Sequence, residues 1–214
     1  MATGIASMLA ISVGQLEVNC YVLWDKATLD AFVIDPGADH ADILDAVKGR
    51  GLRVKYVVNT HGHFDHVGAD KNITEALGAK LAIHESDAPL LADAHDHGAM
   101  WGIKTDKQPE ADIYIKDGDE LNSGGLSLKV IHTPGHTVGG VCLYEKNDGL
   151  LFTGDTLFAG SIGRTDFPGG SLAEIMSSIN DKLLPLGDDV KVYPGHGPAS
   201  TIGRERRTNP YLTR

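Results

Sequence analysis

Cysteine is nearly absent from this chain: 2 of 214 residues, Cys20 and Cys142, each inside an apolar strand-like run. Two are too few for the disulfide framework of a small secreted protein. Long apolar runs are missing too, none approaching the roughly 18 residues of a membrane span. The segment Met1-Ala-Thr-Gly-Ile-Ala-Ser has no basic stretch followed by an apolar core, so no secretory leader is expected. Nor is there an excess of positive charge. Against 29 Asp and Glu stand 19 Lys and Arg, a formal net charge of −10. That argues against nucleic acid as a partner, because phosphate binding needs a basic face. These absences lead to the expectation of a cytoplasmic, non-membrane protein with a small-molecule partner. An anionic substrate stays open, because a bound metal ion inverts the local sign of a site.

What the chain does have is an ordinary globular composition, 42% apolar and 22% charged, and length for a sizeable core. Short runs rich in Val, Ile, Leu and Tyr, bounded by Gly, Asp, Asn or Pro, predict strands at Met8–Val13, Cys20–Trp24, Ala31–Asp35, Tyr56–Asn59, Lys80–His84, Leu126–His132, Val141–Tyr144, Leu150–Thr153 and Lys191–Tyr193. Helical spacing predicts a helix over Ala41–Lys48, with Asp39 as N-cap and Gly49 or Gly51 as the stop. A second helix is expected from Ser171, where Glu174 completes a capping box and Ile175, Met176, Ile179 and Leu183 share a face until Pro185. Strands and helices alternate with no Gly/Ser/Pro linker, so residues 1–214 are read as one mixed α/β domain. The polar stretch His95–Asp112 is a candidate flap, with Met100-Trp101 the hint that it covers something.

The chemistry is concentrated in Thr60-His61-Gly62-His63-Phe64-Asp65-His66, three imidazoles and a carboxylate within seven residues. Imidazole and carboxylate are the ligands of borderline divalent metals. A solvated loop that is merely His-rich would need no such order. Three more ligand-type residues each follow a strand-like run and stand beside Gly or Pro: His136 in Thr-Pro-Gly-His-Thr, Asp155 in Thr-Gly-Asp-Thr and His196 in Pro-Gly-His-Gly. There the backbone can turn sharply and present the side chain at a strand end. Asp35, before Pro36-Gly37, is either a plain turn carboxylate or the acceptor that fixes a ligand histidine's tautomer. Of the histidines outside this pattern, His40, His84, His95, His97 and His132 read as surface or structural, His132 alone being near a ligand in sequence.

The order H-x-H-x-D-H, then His136, then Asp155 in its Gly-Asp-Thr turn, then His196 in its Gly-His-Gly turn resembles the metallo-β-lactamase fold superfamily. The likeness runs from Asn19-Cys20-Tyr21 to Gly195-His196-Gly197. It implies a four-layer αβ/βα sandwich, two mixed β-sheets face to face with helices outside and metals at one edge. Carried over, His61, His63 and His136 would hold one metal, Asp65, His66 and His196 a second, and Asp155 would bridge them. The cofactors implied are two divalent ions, zinc with iron or manganese as alternatives, and Asp65 and Asp155 are the carboxylates implied in catalysis. The bridging position carries Asp155 and not the cysteine of the best-known zinc β-lactamases, which argues against a drug-hydrolysing enzyme.

No nucleophile elbow or exposed reactive cysteine is evident, so hydroxide generated between two metals is the expected nucleophile. A thiolate, with a pKa near 8.5, would leave such a site with little help from an acid. The run Gly160-Ser-Ile-Gly-Arg-Thr-Asp-Phe-Pro-Gly-Gly170 and the tail Glu205-Arg-Arg-Thr-Asn-Pro-Tyr-Leu look like the compact hydroxyacylglutathione hydrolase (glyoxalase II)-like branch, which cleaves thioesters such as S-D-lactoylglutathione. Arg164 is then a candidate for binding substrate, or else an ion-pair partner of Asp65 or Asp166. The helical domain that supplies basic residues for glutathione in full-length glyoxalase II has no counterpart after Gly197, where only Arg204, Arg206 and Arg207 could substitute. Gly163-Arg164-Thr165-Asp166-Phe167 also resembles the persulfide dioxygenases of the same fold, whose single iron would sit on His61, His136 and Asp155. A non-catalytic metal or redox module is disfavoured, since a structural zinc is normally closed by four ligands.

Overall fold

The sheet-forming segments pair into two six-stranded layers in a computed structural model that describes residues 4–213. The strands are β1 (Ala6–Val13), β2 (Val18–Asp25), β3 (Asp30–Ile34), β4 (Arg53–Val58), β5 (Lys80–His84), β6 (Ile113–Ile115), β7 (Glu120–Ser123), β8 (Leu126–His132), β9 (Val141–Glu145), β10 (Leu150–Gly154), β11 (Leu157–Phe158), β12 (Ser161–Ile162), β13 (Lys191–Pro194) and β14 (Ser200–Thr201). The helices are α1 (His40–Lys48), α2 (Phe64–Val67), α3 (Asp70–Leu77), α4 (Ala88–Met100), α5 (Leu172–Ser177) and α6 (Ile202–Thr208). One sheet has the order β1-β2-β3-β4-β5-β6 and the other β14-β13-β10-β9-β8-β7, with β11-β12 a separate ribbon. Both sheets are mixed. β3 to β6 run parallel, as do β10 and β13, while the hairpins are antiparallel.

Three apolar cores make four layers of this arrangement. Leu23, Phe32, Ile34, Leu128, Leu143 and Phe152 fill the space between the sheets. Ile43, Val47, Ile73 and Leu91 of α1, α3 and α4 cover the first sheet with Val22, Val33 and Val57, and Ile175, Ile179 and Ile202 cover the second with Leu151 and Val192. The strands buried on both faces, such as β3 and β10, read as nearly continuous apolar runs, as strands between two layers should. This is the αβ/βα sandwich that the resemblance implies. At the centre Phe152 lies 5.1 Å from Tyr21 of the opposite sheet and 5.6 Å from Tyr193. Phe152→Ala should therefore cost about 3–5 kcal/mol, read as a lower midpoint in chemical denaturation.

Several elements depart from the sequence reading. Asp39 occupies the N-cap position of α1 but caps nothing. Its φ is 48° and its carboxylate accepts from the Gly14 N–H at 2.8 Å. The Ser171 side chain does accept from the Glu174 N–H. α5 then passes into a π-helical turn at Ser178–Leu183 and a 3-10 turn at Leu184–Leu186, so Pro185 sits inside a tighter turn beyond the α-helix. The candidate flap begins as the last turns of α4. Beyond Trp101 it is pinned by Gln108, whose amide donates to the Gly68 carbonyl and whose carbonyl accepts from the Lys71 N–H, both at 3.1 Å. Gly98 inside α4 lets the chain fold back closely at the end of the helix, since a Cβ there would stand 3.0 Å from the Ile103 carbonyl. No helix among the described residues is long and apolar enough to cross a membrane.

Candidate metal centre

Because β3, β4 and β5 are parallel, their C-terminal ends lie on one edge of the first sheet, and β8, β10 and β13 end together in the second. Each of these ends except that of β5 opens into a turn carrying a sequence-selected residue. Asp35 follows β3, His61 and His63 follow β4 and lead into the single turn of α2 with Asp65 and His66, His136 follows β8, Asp155 follows β10 and His196 follows β13. The crevice outside the carboxyl ends of the strands is where such folds bind ligands.

The ligand atoms meet in three overlapping groups, each within 4.8 Å: His61, His63 and His136; Asp65, His66 and His196; and His61, His66 and Asp155. The third takes one member from each of the others and adds Asp155. The Asp155 carboxylate stands 3.5 Å from His66 Nε2, 3.6 Å from His136 Nε2 and 3.7 Å from His196 Nε2. Gly195 is required beside it, because a Cβ there would collide with Asp155 Oδ1 and His66 Cε1.

Four imidazoles have their proton assigned by an acceptor. His136 Nδ1 faces the Arg164 carbonyl at 2.8 Å and His196 Nδ1 the Leu16 carbonyl at 3.0 Å, so both must donate there. His66 Nδ1 donates to Asp35 Oδ2 at 3.0 Å. Thr60 Oγ1 spends its proton on the same oxygen at 2.7 Å and so accepts from His61 Nδ1 at 3.1 Å. In all four the Nε2 lone pair is left to face the cluster. Asp35 also takes the Thr60 N–H at 2.7 Å on its other oxygen. Of its two sequence readings, the tautomer-fixing one holds, directly for His66 and through Thr60 for His61.

The bare donors fit a cation. His61 Nε2 and Asp155 Oδ1 are buried with no hydrogen-bond partner, as are Asn59 Oδ1 and Asp70 Oδ2 beside the site, and the first two face the cluster, where a cation would satisfy them. His136 Nε2 and His63 Nδ1 face each other at 3.0 Å, and His66 Nε2 and His196 Nε2 at 3.4 Å. Burial, with His136 and His66 adding, pushes the pKa of His63 down to about 3. Burial also opposes charge on His66, yet Asp155, Asp65 and Asp35 push it up to about 10, a demand for positive charge at Nε2 that a bound cation would meet in place of a proton. Asp65 is held below the usual carboxylate range, against its burial, by His66 and His196.

The donors open into a cavity of about 520 Å³ walled by Leu16, Phe64, Trp101, Phe158, Ile162 and Phe167, with His97 and Arg164 among the lining groups. Arg164 pairs with Asp166 at 3.0 and 2.8 Å, leaving Asp65 aside, and its guanidinium lies 4.1 Å over the Phe167 ring. Both sequence readings of Arg164 therefore describe part of its position. Arg206 and Arg207 pair with Asp188, and none of Arg204, Arg206 and Arg207 lines the cavity. His97, read as surface or structural, has its ring centre 6.2 Å from His63. His132 supports no ligand. It stacks on His84 at 4.4 Å and bonds the Val138 carbonyl.

The His196 turn is latched from the opposite sheet. The Asn19 amide donates to the carbonyls of Pro194 and Gly197, and the Tyr21 hydroxyl to that of Pro194 at 2.7 Å.

Comparison with known proteins agrees with this geometry. The family model of the metallo-beta-lactamase superfamily matches residues 13–196. The chain is 36% identical over 209 residues to the hydroxyacylglutathione hydrolase GloC of Haemophilus influenzae, covering 94% of this chain and 96% of that protein. Among solved structures it is similar to the BLEG-1 B3 metallo-beta-lactamase (TM-score 0.92, 34% identity, 97% and 100% of the two chains). It is also similar to TTHA1623, solved in a di-iron-bound form (TM-score 0.88, 36% identity, 95% and 100%). A third likeness is to ETHE1 from Myxococcus xanthus (TM-score 0.81, 28% identity, 95% and 83%).

Proposed function

Since the chain belongs to the metallo-beta-lactamase superfamily, we propose that it is a single-domain, binuclear thioester hydrolase acting on a hydroxyacylglutathione such as S-D-lactoylglutathione. The observation that carries the binuclear reading is that Asp155 joins His61 of one ligand group and His66 of the other in a third group between them. The thioester reading is supported by the likeness to GloC over nearly its whole length. His61, His63 and His136 would hold one divalent ion and Asp65, His66 and His196 the other, with Asp155 between them. Zinc, iron and manganese all suit these donors, and the di-iron form of a 36% identical neighbour favours iron as an alternative to zinc. Such a pair supplies a hydroxide nucleophile near neutral pH and polarises the scissile carbonyl.

The protein's own groups do the rest. Asp35 and Thr60 hold two imidazoles in the ligating tautomer. Asp65 and Asp155 are the two carboxylates of the cavity lining; Asp155 would stand between the ions, and Asp65 would take the single proton that the attacking water gives up. The aromatic wall excludes bulk water and orients the thioester, and the thiolate departs without a general acid because its pKa is near 8.5. Arg164, held by Asp166 and Phe167 at the rim, steadies a substrate carboxylate or carbonyl. Buried, unpaired Cys20 and Cys142 accord with residence in the cytoplasm.

Arg164→Ala is expected to raise KM severalfold with kcat little changed and the fold intact, because an exposed ion pair adds little stability. Steady-state kinetics beside a thermal melt checks this, and an unfolded variant would show that the pair is structural. The function itself is tested on protein of measured metal content by assaying S-D-lactoylglutathione cleavage, oxygen uptake with glutathione persulfide and opening of a chromogenic β-lactam. Thioester cleavage with two metal equivalents is expected. Oxygen uptake with one iron, or lactam opening without thioester cleavage, would replace this reading.

A further inference from the structure

We propose that Asp87 is the positioning residue that sets the spacing of His61, His63 and His136, by clamping onto one carboxylate the two loops that carry them. Asp87 ends the 3-10 turn Glu85–Asp87 after β5 and is wholly buried. Its Oδ2 accepts the Gly62 N–H at 3.0 Å and the Thr137 hydroxyl at 2.7 Å, and its Oδ1 accepts the Gly139 N–H at 2.6 Å. Gly62 lies between His61 and His63, and Thr137 follows His136. One side chain therefore joins the loop after β4 in the first sheet to the loop after β8 in the second.

Both loops come too near for any side chain to intervene. A Cβ on Gly139 would stand 2.6 Å from Asp87 Oδ1, and one on Gly62 would stand 2.7 Å from the Asp87 carbonyl. A buried carboxylate without a basic partner is costly unless donors surround it, and here three do. Each belongs to a residue next to a ligand or within three residues of one. Asparagine cannot replace the carboxylate, because either orientation of its amide points an N–H at the N–H of Gly62 or of Gly139. The consequence falls on the metal, since outer partners that orient ligands typically govern affinity by 10–100-fold. The inference rests on the metal reading above and is independent of the thioester.

The test is zinc titration against a competing chelator for the wild type, Asp87→Asn, Thr137→Val and Thr137→Ser, with metal-free melting curves alongside. Wild type should take up two zinc equivalents. Asp87→Asn should weaken one of them 10–100-fold and keep the other, Thr137→Val should weaken the same one less, and Thr137→Ser should match wild type. Two equivalents bound by Asp87→Asn as tightly as by wild type, with only the melting temperature lowered, would reduce Asp87 to a structural residue and overturn the inference. If Asp87→Asn does not fold, equal zinc affinity in Thr137→Val and Thr137→Ser overturns it. Uptake of fewer than two equivalents by wild type would instead overturn the metal reading on which it rests.

Discussion

Asp155→Asn should lower kcat for thioester hydrolysis by at least about 100-fold, more than the 10–100-fold typical of outer partners, while the circular dichroism spectrum stays unchanged. Asp155 is the carboxylate common to both halves of the cluster, within 3.5–3.7 Å of His66, His136 and His196. The substitution preserves its shape and removes its charge and one acceptor. Its Oδ1, buried and otherwise unpartnered, would become a neutral carbonyl or an amide N–H, and the amide nitrogen has no lone pair to offer a metal ion. Metal content should fall in parallel when measured on the purified variant. An Asp155→Asn protein with near-wild-type turnover and two bound ions would show that this carboxylate does not bridge.

Asp35→Asn should act nearly as strongly without touching the cavity. Asp35 takes three hydrogen bonds, two from Thr60 and one from His66. An asparagine amide placed on the Oδ2 side faces His66 Nδ1–H and drives that ring to its other tautomer, whose Nε2 carries hydrogen. Placed on the Oδ1 side it opposes the Thr60 N–H. Either way the loss is expected at 10–100-fold in affinity for the ion held by His66, with kcat falling once that ion dissociates. Chelator competition measures it directly. Unchanged affinity would mean that packing alone holds His66, which is fully buried.

The candidate ligand turns were legible in the sequence because several apolar runs each end on a His or Asp beside Gly or Pro, and an ordinary turn has no reason to repeat that conjunction. The helices α3 and α4 were harder. α3 buries only Asp70 and Ile73, and α4 turns Leu91, Ala94 and Gly98 inward, so neither shows a wide apolar stripe. β11, β12 and β14 have two residues each, too few for any periodicity. The cavity wall was invisible for another reason. Leu16, Phe64, Trp101, Phe158 and Phe167 come from separate segments, and nothing local marks an apolar residue as lining a site instead of a core. Asp87 stayed hidden because two of its three donors are backbone N–H groups, which every residue type but proline supplies, and the third, the Thr137 hydroxyl, lies 50 residues away in sequence.

The latch of Asn19 and Tyr21 on the turn holding His196 ties ion loading to the order of folding. His61, His63 and His136 lie in the middle of the polypeptide, whereas His196 is held in place only after the first hairpin has met a segment about 175 residues downstream. Closing so long a loop is slow compared with local pairing. On the two-ion reading proposed above, a nascent chain would complete one half of the centre before the other, and the second ion would enter only when head and tail have joined.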